Sequence, residues 1–166
     1  SMHSLFMLQD LLEEDFLLLE SDLLFEEEAL ISILNEQNND VLLISGKTNS
    51  GDEVWIYGDK NYGNESKGLI KKINKKVYKE LETIGELTGI SKISYELFRK
   101  MCDHHSKKIS FPNNFHYEEC ISDLCNQHEI KYLKIENLIW TEIDDSQHYK
   151  RAVDEIWPLL KKKDVP

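Results

Sequence analysis

The chain has 166 residues, of which 40% are hydrophobic and 31% are charged, with only seven glycines and three prolines. This composition excludes collagen, low-complexity linkers and intrinsic disorder, because there are enough apolar side chains to form a core. The formal net charge of −11 is uneven, since residues 1–59 contain fourteen acidic residues and a single lysine, Lys47. Because such a surface repels phosphate backbones, we expect no binding to nucleic acid.

The sequence also restricts where the protein acts. No stretch approaches 18 uncharged apolar residues, so no membrane span is predicted. The first residues lack the basic segment and the cleavage site of a secretory signal. Three cysteines, an odd number, are typical of reduced thiols. We therefore expect a cytoplasmic protein without a disulfide framework.

The first half of the chain alternates between helical and strand patterns. Leucines at helical spacing predict a helix from Leu5 to Glu14, with Ser4 placed to cap it. Continuously apolar runs at 15–20 and 40–45 predict buried strands, separated by a helix at 26–35. A turn-rich segment, a strand and a loop are then predicted, in this order: 46–52, 53–57 and 58–64.

The second half continues this alternation. Strands are predicted at 68–73, 86–93, 131–136 and 139–142. Helices are predicted at 94–107, 117–128 and 146–160. Because strands and helices alternate along the chain, the sequence predicts a single α/β domain, residues 1–166, with a mostly parallel mixed sheet.

Two familiar motifs are only partly present. Ser45 to Thr48 follow an apolar strand, as in a phosphate-binding loop, but Val41 stands where the full motif needs a glycine. The cysteines and histidines match no standard zinc spacing, and Cys120 and Cys125 would lie about 140° apart around a helix. We therefore expect core cysteines rather than a zinc site.

Carboxylates stand at the ends of two predicted strands. Asp22 lies just past the carboxyl end of a buried strand, where open α/β sheets place ligand-binding groups. Glu142 and Asp144 follow a later strand and point to one side of an extended segment, because side chains alternate with period two. Magnesium favours one or two carboxylates together with substrate phosphates. These three residues are candidate Mg²⁺ ligands, although acidic strand ends are also common on solvated surfaces.

Four segments follow one another in a characteristic order. They are 15–26 with its Glu-Ser-Asp, 52–75, 85–94, and Tyr117-Glu118 followed by Trp-Thr-Glu-Ile-Asp at 140–144. In this order they resemble nucleotidyltransferases of the phosphocholine and phosphonate cytidylyltransferase type, within the sugar-phosphate nucleotidyltransferase superfamily. The resemblance covers nearly the whole chain and implies a Rossmann-like nucleotidyltransferase fold.

The resemblance also implies a reaction and a set of site residues. The reaction is Mg²⁺-dependent transfer of a nucleotidyl group from CTP, or another nucleoside triphosphate, to a phosphorylated alcohol such as phosphocholine or to a phosphonate, with release of pyrophosphate. The implied roles are metal binding for Asp22, Glu142 and Asp144, and a phosphate contact for Lys75. Glu86 and Tyr117 are candidates for the acceptor pocket, where a carboxylate and an aromatic face suit a quaternary ammonium.

The sequence departs from the family pattern at its beginning. The family holds the triphosphate with a glycine-rich loop that carries an arginine and a Pro-Lys pair, whereas the first glycine here is Gly46 and no Pro-Lys pair occurs. We therefore expect a fold that is incomplete at its N-terminal side, corresponds to the C-terminal two-thirds of the family domain, and does not bind CTP tightly alone. We expect the region 5–19 to pair with the missing segment or with a second copy. A smaller departure is His148, where the family often has an aspartate.

The acidic first third also fits a different class of protein. A non-catalytic acidic binding protein, such as a neutraliser of a basic toxin, would need the negative surface and no metal. Titration with Mg²⁺ separates the two hypotheses, because only the enzyme is expected to have a stoichiometric metal site.

Overall fold

The computed structural model describes residues 1–64, 66–78, 82–107 and 115–163, and only the backbone of residues 59–64. The strands in these ranges are β1 (Phe16–Leu19), β2 (Leu23–Phe25), β3 (Val41–Ser45), β4 (Trp55–Asn64), β5 (Lys67–Asn74), β6 (Thr83–Ile93), β7 (Lys131–Ile135) and β8 (Trp140–Glu142). The helices are α1 (Met2–Phe6), α2 (Glu28–Leu34), α3 (Tyr95–Lys107), α4 (Tyr117–Leu124), α5 (Ser146–Arg151) and α6 (Trp157–Lys163).

Six strands form one mixed sheet in the order β1-β6-β3-β7-β5-β4, in which β4 also pairs with β6. The pairing of β3 with β7 is parallel, and the other pairings described in this sheet are antiparallel. The predicted α/β class with a mixed sheet is confirmed. Parallel pairing is rarer than expected, partly because β4 and β5 are joined by a short connection, which allows only antiparallel neighbours.

The central strand β3 is buried on both faces, as its continuously apolar sequence predicts. Leu42 and Ile44 pack on one face into a core that includes residues of α1, α3 and α4. Val41 and Leu43 pack on the other face with residues of α2 and with Trp140. Helices therefore cover both sides of the sheet.

The first helix is shorter than predicted. The expectation of a helix from Leu5 to Glu14 is wrong, because α1 ends at Phe6 and Ser4 lies inside it rather than capping it. Leu8 and Leu11 remain 39% and 75% exposed, whereas Leu12 packs against the core, so the leucines of this segment do not form one buried helical face. Most helical stability in proteins comes from such packing rather than from intrinsic propensity.

Two other segments differ from the prediction. Residues 58–64, predicted as a loop, continue β4. At Gly58 an added Cβ would lie 2.9 Å from side-chain atoms of both Ile84 and Tyr132, so this glycine permits a close approach rather than a turn. The predicted helix at 146–160 is present, but a π-helical turn, Ala152–Ile156, joins α5 to α6.

The cysteines match their prediction, since Cys102, Cys120 and Cys125 are all buried and form no disulfide. Among the residues that the structure describes, no helix has both the length and the apolar character needed to cross a membrane.

Candidate active site

A small second sheet brings the predicted metal ligands together. Strand β2 pairs with β8 in antiparallel register, so that Leu23 lies opposite Glu142. The amide of Ile143 also donates a 2.9 Å hydrogen bond to the carbonyl oxygen of Asp22. Asp22 therefore lies beside the segment that carries Glu142 and Asp144, although more than a hundred residues separate them in sequence.

A cavity of about 680 Å³ opens beside this small sheet. Its walls come from the end of β1, the middle of β6, the start of α4 and the end of β8. All six residues singled out in the sequence line it: Asp22, Lys75, Glu86, Tyr117, Glu142 and Asp144. The structure thus brings the six together, while their individual roles stay predictions.

The acidic lining makes the cavity electrostatically unusual. Burial, together with the neighbouring charges of Asp144, Asp52 and Glu20, raises the pKa of Glu142 to about 7. Like charges that share a site disfavour ionisation of one another. A cation placed among these carboxylates would relieve that repulsion.

One group of three side chains, Glu142, Asp144 and His148, has the geometry to hold a metal ion within the described part of the chain. One ligand atom from each residue lies within 4.8 Å of the other two. His148 Nδ1 lies 3.7 Å from Asp144 Oδ2. Asp145 caps the start of α5, the helix that carries His148, since its carboxylate accepts hydrogen bonds from the amides of residues 147 and 148.

Sequence reasoning gave His148 no role, although a signal was present. A histidine four residues after an aspartate at a helix start lies on the same side of the helix. Asp22 is not part of this three-residue group, but its Oδ1 is buried and has no hydrogen-bond partner among the described residues. A buried acceptor without a partner is costly, so this oxygen is suited to a ligand.

Lys75 is the single lysine or arginine among the described residues that line the cavity. Its Nζ lies 2.8 Å and 3.0 Å from the two carboxylate oxygens of Asp52. Burial is the largest single influence on the pKa of Lys75 and lowers it, but the hydrogen bond and the charge of Asp52, together with the charges of Glu142 and Glu118, give a net upward shift. The ammonium group is therefore charged and is held at the cavity wall.

Glu86 is tied to a loop. Its carboxylate accepts hydrogen bonds from the amide and the hydroxyl of Thr48, at 2.8 Å and 2.9 Å. Burial raises the pKa of Glu86, while the bonds from Thr48 oppose this shift. Glu86 thus anchors one end of the 46–52 loop, and the ion pair between Asp52 and Lys75 anchors the other.

Glu20 lines the cavity, although the sequence analysis assigns it no role. Its amide donates to the carbonyl of Gly89 at 3.0 Å. Gly89 has φ +76°, and an added Cβ would lie 2.9 Å from Glu20 Oε2. Burial raises the pKa of Glu20, and interaction with the buried Tyr117 hydroxyl lowers it. Its position two residues before Asp22 was the available signal.

The fold is similar to that of several solved nucleotidyltransferases, although no family model matches the chain. The inositol-1-phosphate CTP transferase from T. maritima is 22% identical with a TM-score of 0.69, over 96% of this chain and 62% of that one. A UDP-glucose pyrophosphorylase is 14% identical with a TM-score of 0.70, over 98% and 60%. The CTP:phosphocholine cytidylyltransferase from Streptococcus pneumoniae is 13% identical with a TM-score of 0.59, over 98% and 63%.

The chain therefore has the fold of these solved structures, one of which is a CTP:phosphocholine cytidylyltransferase. The chain spans about three-fifths of the length of these structures. The similarity does not favour the alternative of a non-catalytic acidic binding protein.

Proposed function

We propose that this chain forms the metal-binding and acceptor-binding part of a nucleotidyltransferase. In the proposed reaction, a phosphate oxygen of a phosphorylated alcohol such as phosphocholine, or an oxygen of a phosphonate, attacks the α-phosphorus of CTP or another nucleoside triphosphate. The bond from that phosphorus to the bridging oxygen breaks, and pyrophosphate leaves. The observation that carries the proposal is the convergence of Asp22, Glu142, Asp144 and Lys75 on one cavity of this fold.

The lining residues fit a hard divalent cation, which we propose is Mg²⁺. Asp22, Glu142 and Asp144 would hold it, because magnesium prefers carboxylate oxygens and keeps positions for substrate phosphates. The unpartnered Oδ1 of Asp22 supports this assignment. When bound, the ion would neutralise charge on the phosphates.

The remaining side chains would bind and orient the substrates. The ammonium of Lys75 can donate three hydrogen bonds, so it would hold a phosphate once Asp52 releases it. Tyr117 and Glu86, which line the same cavity, would form part of the acceptor pocket. In such a site, catalysis comes mainly from positioning and from fixed charges.

Because the chain spans only part of the length of the related structures, some groups that the proposed reaction needs are not assigned to its residues. We propose that the residues that hold the nucleotide triphosphate belong to polypeptide outside these 166 residues. Tight binding of CTP by the 166-residue chain alone is therefore not expected.

Calorimetric titration with Mg²⁺ and Mn²⁺ tests the proposal directly. We expect one stoichiometric site in the unaltered chain, and at least tenfold weaker binding after Asp144→Asn, which removes a charged ligand. Asp154→Asn, at an exposed carboxylate outside the cavity, is the matched control and should bind normally. Absence of a stoichiometric site, or equal losses in the two variants, would contradict the metal assignment.

A further inference from the structure

An ion pair lies in the wall of the cavity, at the end of the 46–52 loop. Nζ of Lys75 lies 2.8 Å and 3.0 Å from the two carboxylate oxygens of Asp52, so both oxygens share the ammonium group. Both side chains line the cavity and stay about half exposed, at 56% for Lys75 and 50% for Asp52. Because solvent reaches the pair, a dissolved anion can compete with Asp52 for the ammonium group.

The loop that carries Asp52 is held firmly at its other end. Thr48 donates two hydrogen bonds to Glu86, and its carbonyl oxygen accepts one from Arg151 at 3.4 Å. Gly51 stands between this anchor and Asp52, with φ +100° and with no atom within 4 Å of an added Cβ. Glycine adopts such angles at little cost, and the space around it is open. Asp52 can therefore turn away from Lys75 while the contacts of Thr48 stay in place.

The charge of Asp52 also reaches the metal-binding group. Burial, the charge of Asp144 and the charge of Asp52 together raise the pKa of Glu142. A carboxylate released from Lys75 would add an uncompensated negative charge to this region, where like charges already repel. A divalent cation among these side chains would remove that penalty, because it offers the released carboxylate a new partner.

We propose that Asp52 exchanges partners during binding. It pairs with Lys75 in the empty site, and it joins the divalent cation once the phosphate or phosphonate group of the acceptor has taken Lys75. This inference rests on the proposed function, because it concerns the metal and phosphate positions of the same site. Asp52 is thus an internal competitor of the acceptor. It also couples the two ligands, so that each tightens the binding of the other by the same factor.

Titration with methyl phosphate in the presence of a chelator tests the competition. Phosphorus NMR measures the affinity, and circular dichroism checks the fold of each variant. We expect Asp52→Asn to bind methyl phosphate about fivefold tighter than the unaltered chain, since a half-exposed ion pair no longer has to break. Glu53→Gln is the matched control, because Glu53 bonds to the amide of Gly51 rather than to Lys75. This variant loses the same charge and should stay within about twofold of the unaltered chain.

Two further titrations test the transfer of Asp52 to the cation. Saturating Mg²⁺ should tighten methyl phosphate binding by a factor at least threefold larger in the unaltered chain than in Asp52→Asn, where no carboxylate is transferred. In the absence of phosphate, Lys75→Gln releases Asp52 in advance. It should bind Mg²⁺ about fivefold tighter than Lys76→Gln, in which a neighbouring exposed lysine loses the same charge.

The outcomes separate this inference from the proposed function. Equal phosphate affinities in Asp52→Asn and Glu53→Gln, or an effect of Mg²⁺ that Asp52→Asn leaves unchanged, would overturn the exchange of partners and leave the metal and phosphate positions standing. Phosphate binding by Asp52→Asn but not by the unaltered chain would support the competition. Failure of every variant to bind Mg²⁺ would overturn the proposed function together with this inference.

Discussion

Two aspartates in different parts of the fold differ in how their carboxylates are hydrogen-bonded. Asp40, just before β3, accepts hydrogen bonds from the amide and the hydroxyl of Ser94 at 2.8 Å and 3.0 Å. Its Oδ2 also lies 2.7 Å from Nε2 of His128. Asp22, at the small sheet, has a buried oxygen with no hydrogen-bond partner among the described residues. Protein groups satisfy the first carboxylate, whereas the second is available to a ligand.

The contrast separates two uses of a partly buried carboxylate. A satisfied carboxylate ties elements together, and Asp40 joins β3 to the start of α3 and to the turn after α4. An unsatisfied carboxylate costs stability until a ligand arrives. Altering each kind of carboxylate should therefore change stability in opposite directions, and this can be measured.

The largest effect is expected at Asp40. Asp40→Ala should lower the free energy of unfolding by about 3 kcal/mol, because it leaves His128 and the Ser94 amide without their charged partner. Urea denaturation measures this change. Asp154→Ala, at an exposed carboxylate, should change the free energy by less than about 0.5 kcal/mol. Similar values for the two variants would show that the Asp40 network contributes little.

Replacement of Glu142 is expected to have a smaller effect, and it should raise rather than lower the stability of the metal-free protein above neutral pH. Its folded-state pKa is raised from 4.5 to about 7, so the protonated form stabilises the fold. This contribution is fully present below about pH 4.5 and is lost as the pH rises through about 7. We expect a loss of about 1–2 kcal/mol across this range, after allowance for partial solvent exposure.

Glu142→Gln should remove this pH dependence and be more stable than the unaltered chain at pH 8. Urea denaturation at pH 5 and at pH 8, with a chelator present, provides the comparison. Glu27→Gln, at an exposed carboxylate outside the cavity, should keep the full pH dependence. A Glu142→Gln protein that loses as much stability with pH as the unaltered chain would contradict the shifted pKa.

The smallest effect concerns His148. A nitrogen ligand suits Mn²⁺ better than Mg²⁺, which prefers oxygen. His148→Gln should therefore weaken Mn²⁺ binding about fivefold and leave Mg²⁺ binding within about twofold. Calorimetry with each ion gives both values. Unchanged Mn²⁺ binding would mean that His148 does not contact the metal.

The sequence predicts the parts of the fold that depend on local pattern. The apolar run at 40–45 predicts β3, and the helix predicted at 94–107 corresponds to α3. The pattern cannot reveal β2, because Leu23–Phe25 is too short to show periodicity and its partner is distant in sequence. It also overextends α1, since exposure of Leu11 depends on what packs nearby.

The sequence predicts part of the candidate site, as it predicts part of the fold. Asp22, Glu142 and Asp144 were selected from their places at strand ends and from a family resemblance, and they do line one cavity. The sequence analysis assigns no role to Glu20 or His148. Glu20 is placed by its contact with Gly89, and His148 is placed by the start of α5, and both depend on the tertiary structure. Motif order located the site, whereas tertiary structure was needed to complete its lining.

The pairing of β2 with β8 has a consequence for the order of folding. Because these strands are separated by more than a hundred residues, closing them together requires ordering a very long loop. Contacts of such high sequence separation form slowly and late. The carboxylates would then come together only after the central sheet is in place. Metal affinity should therefore appear in the last phase of refolding, after the fluorescence and circular dichroism changes that accompany collapse.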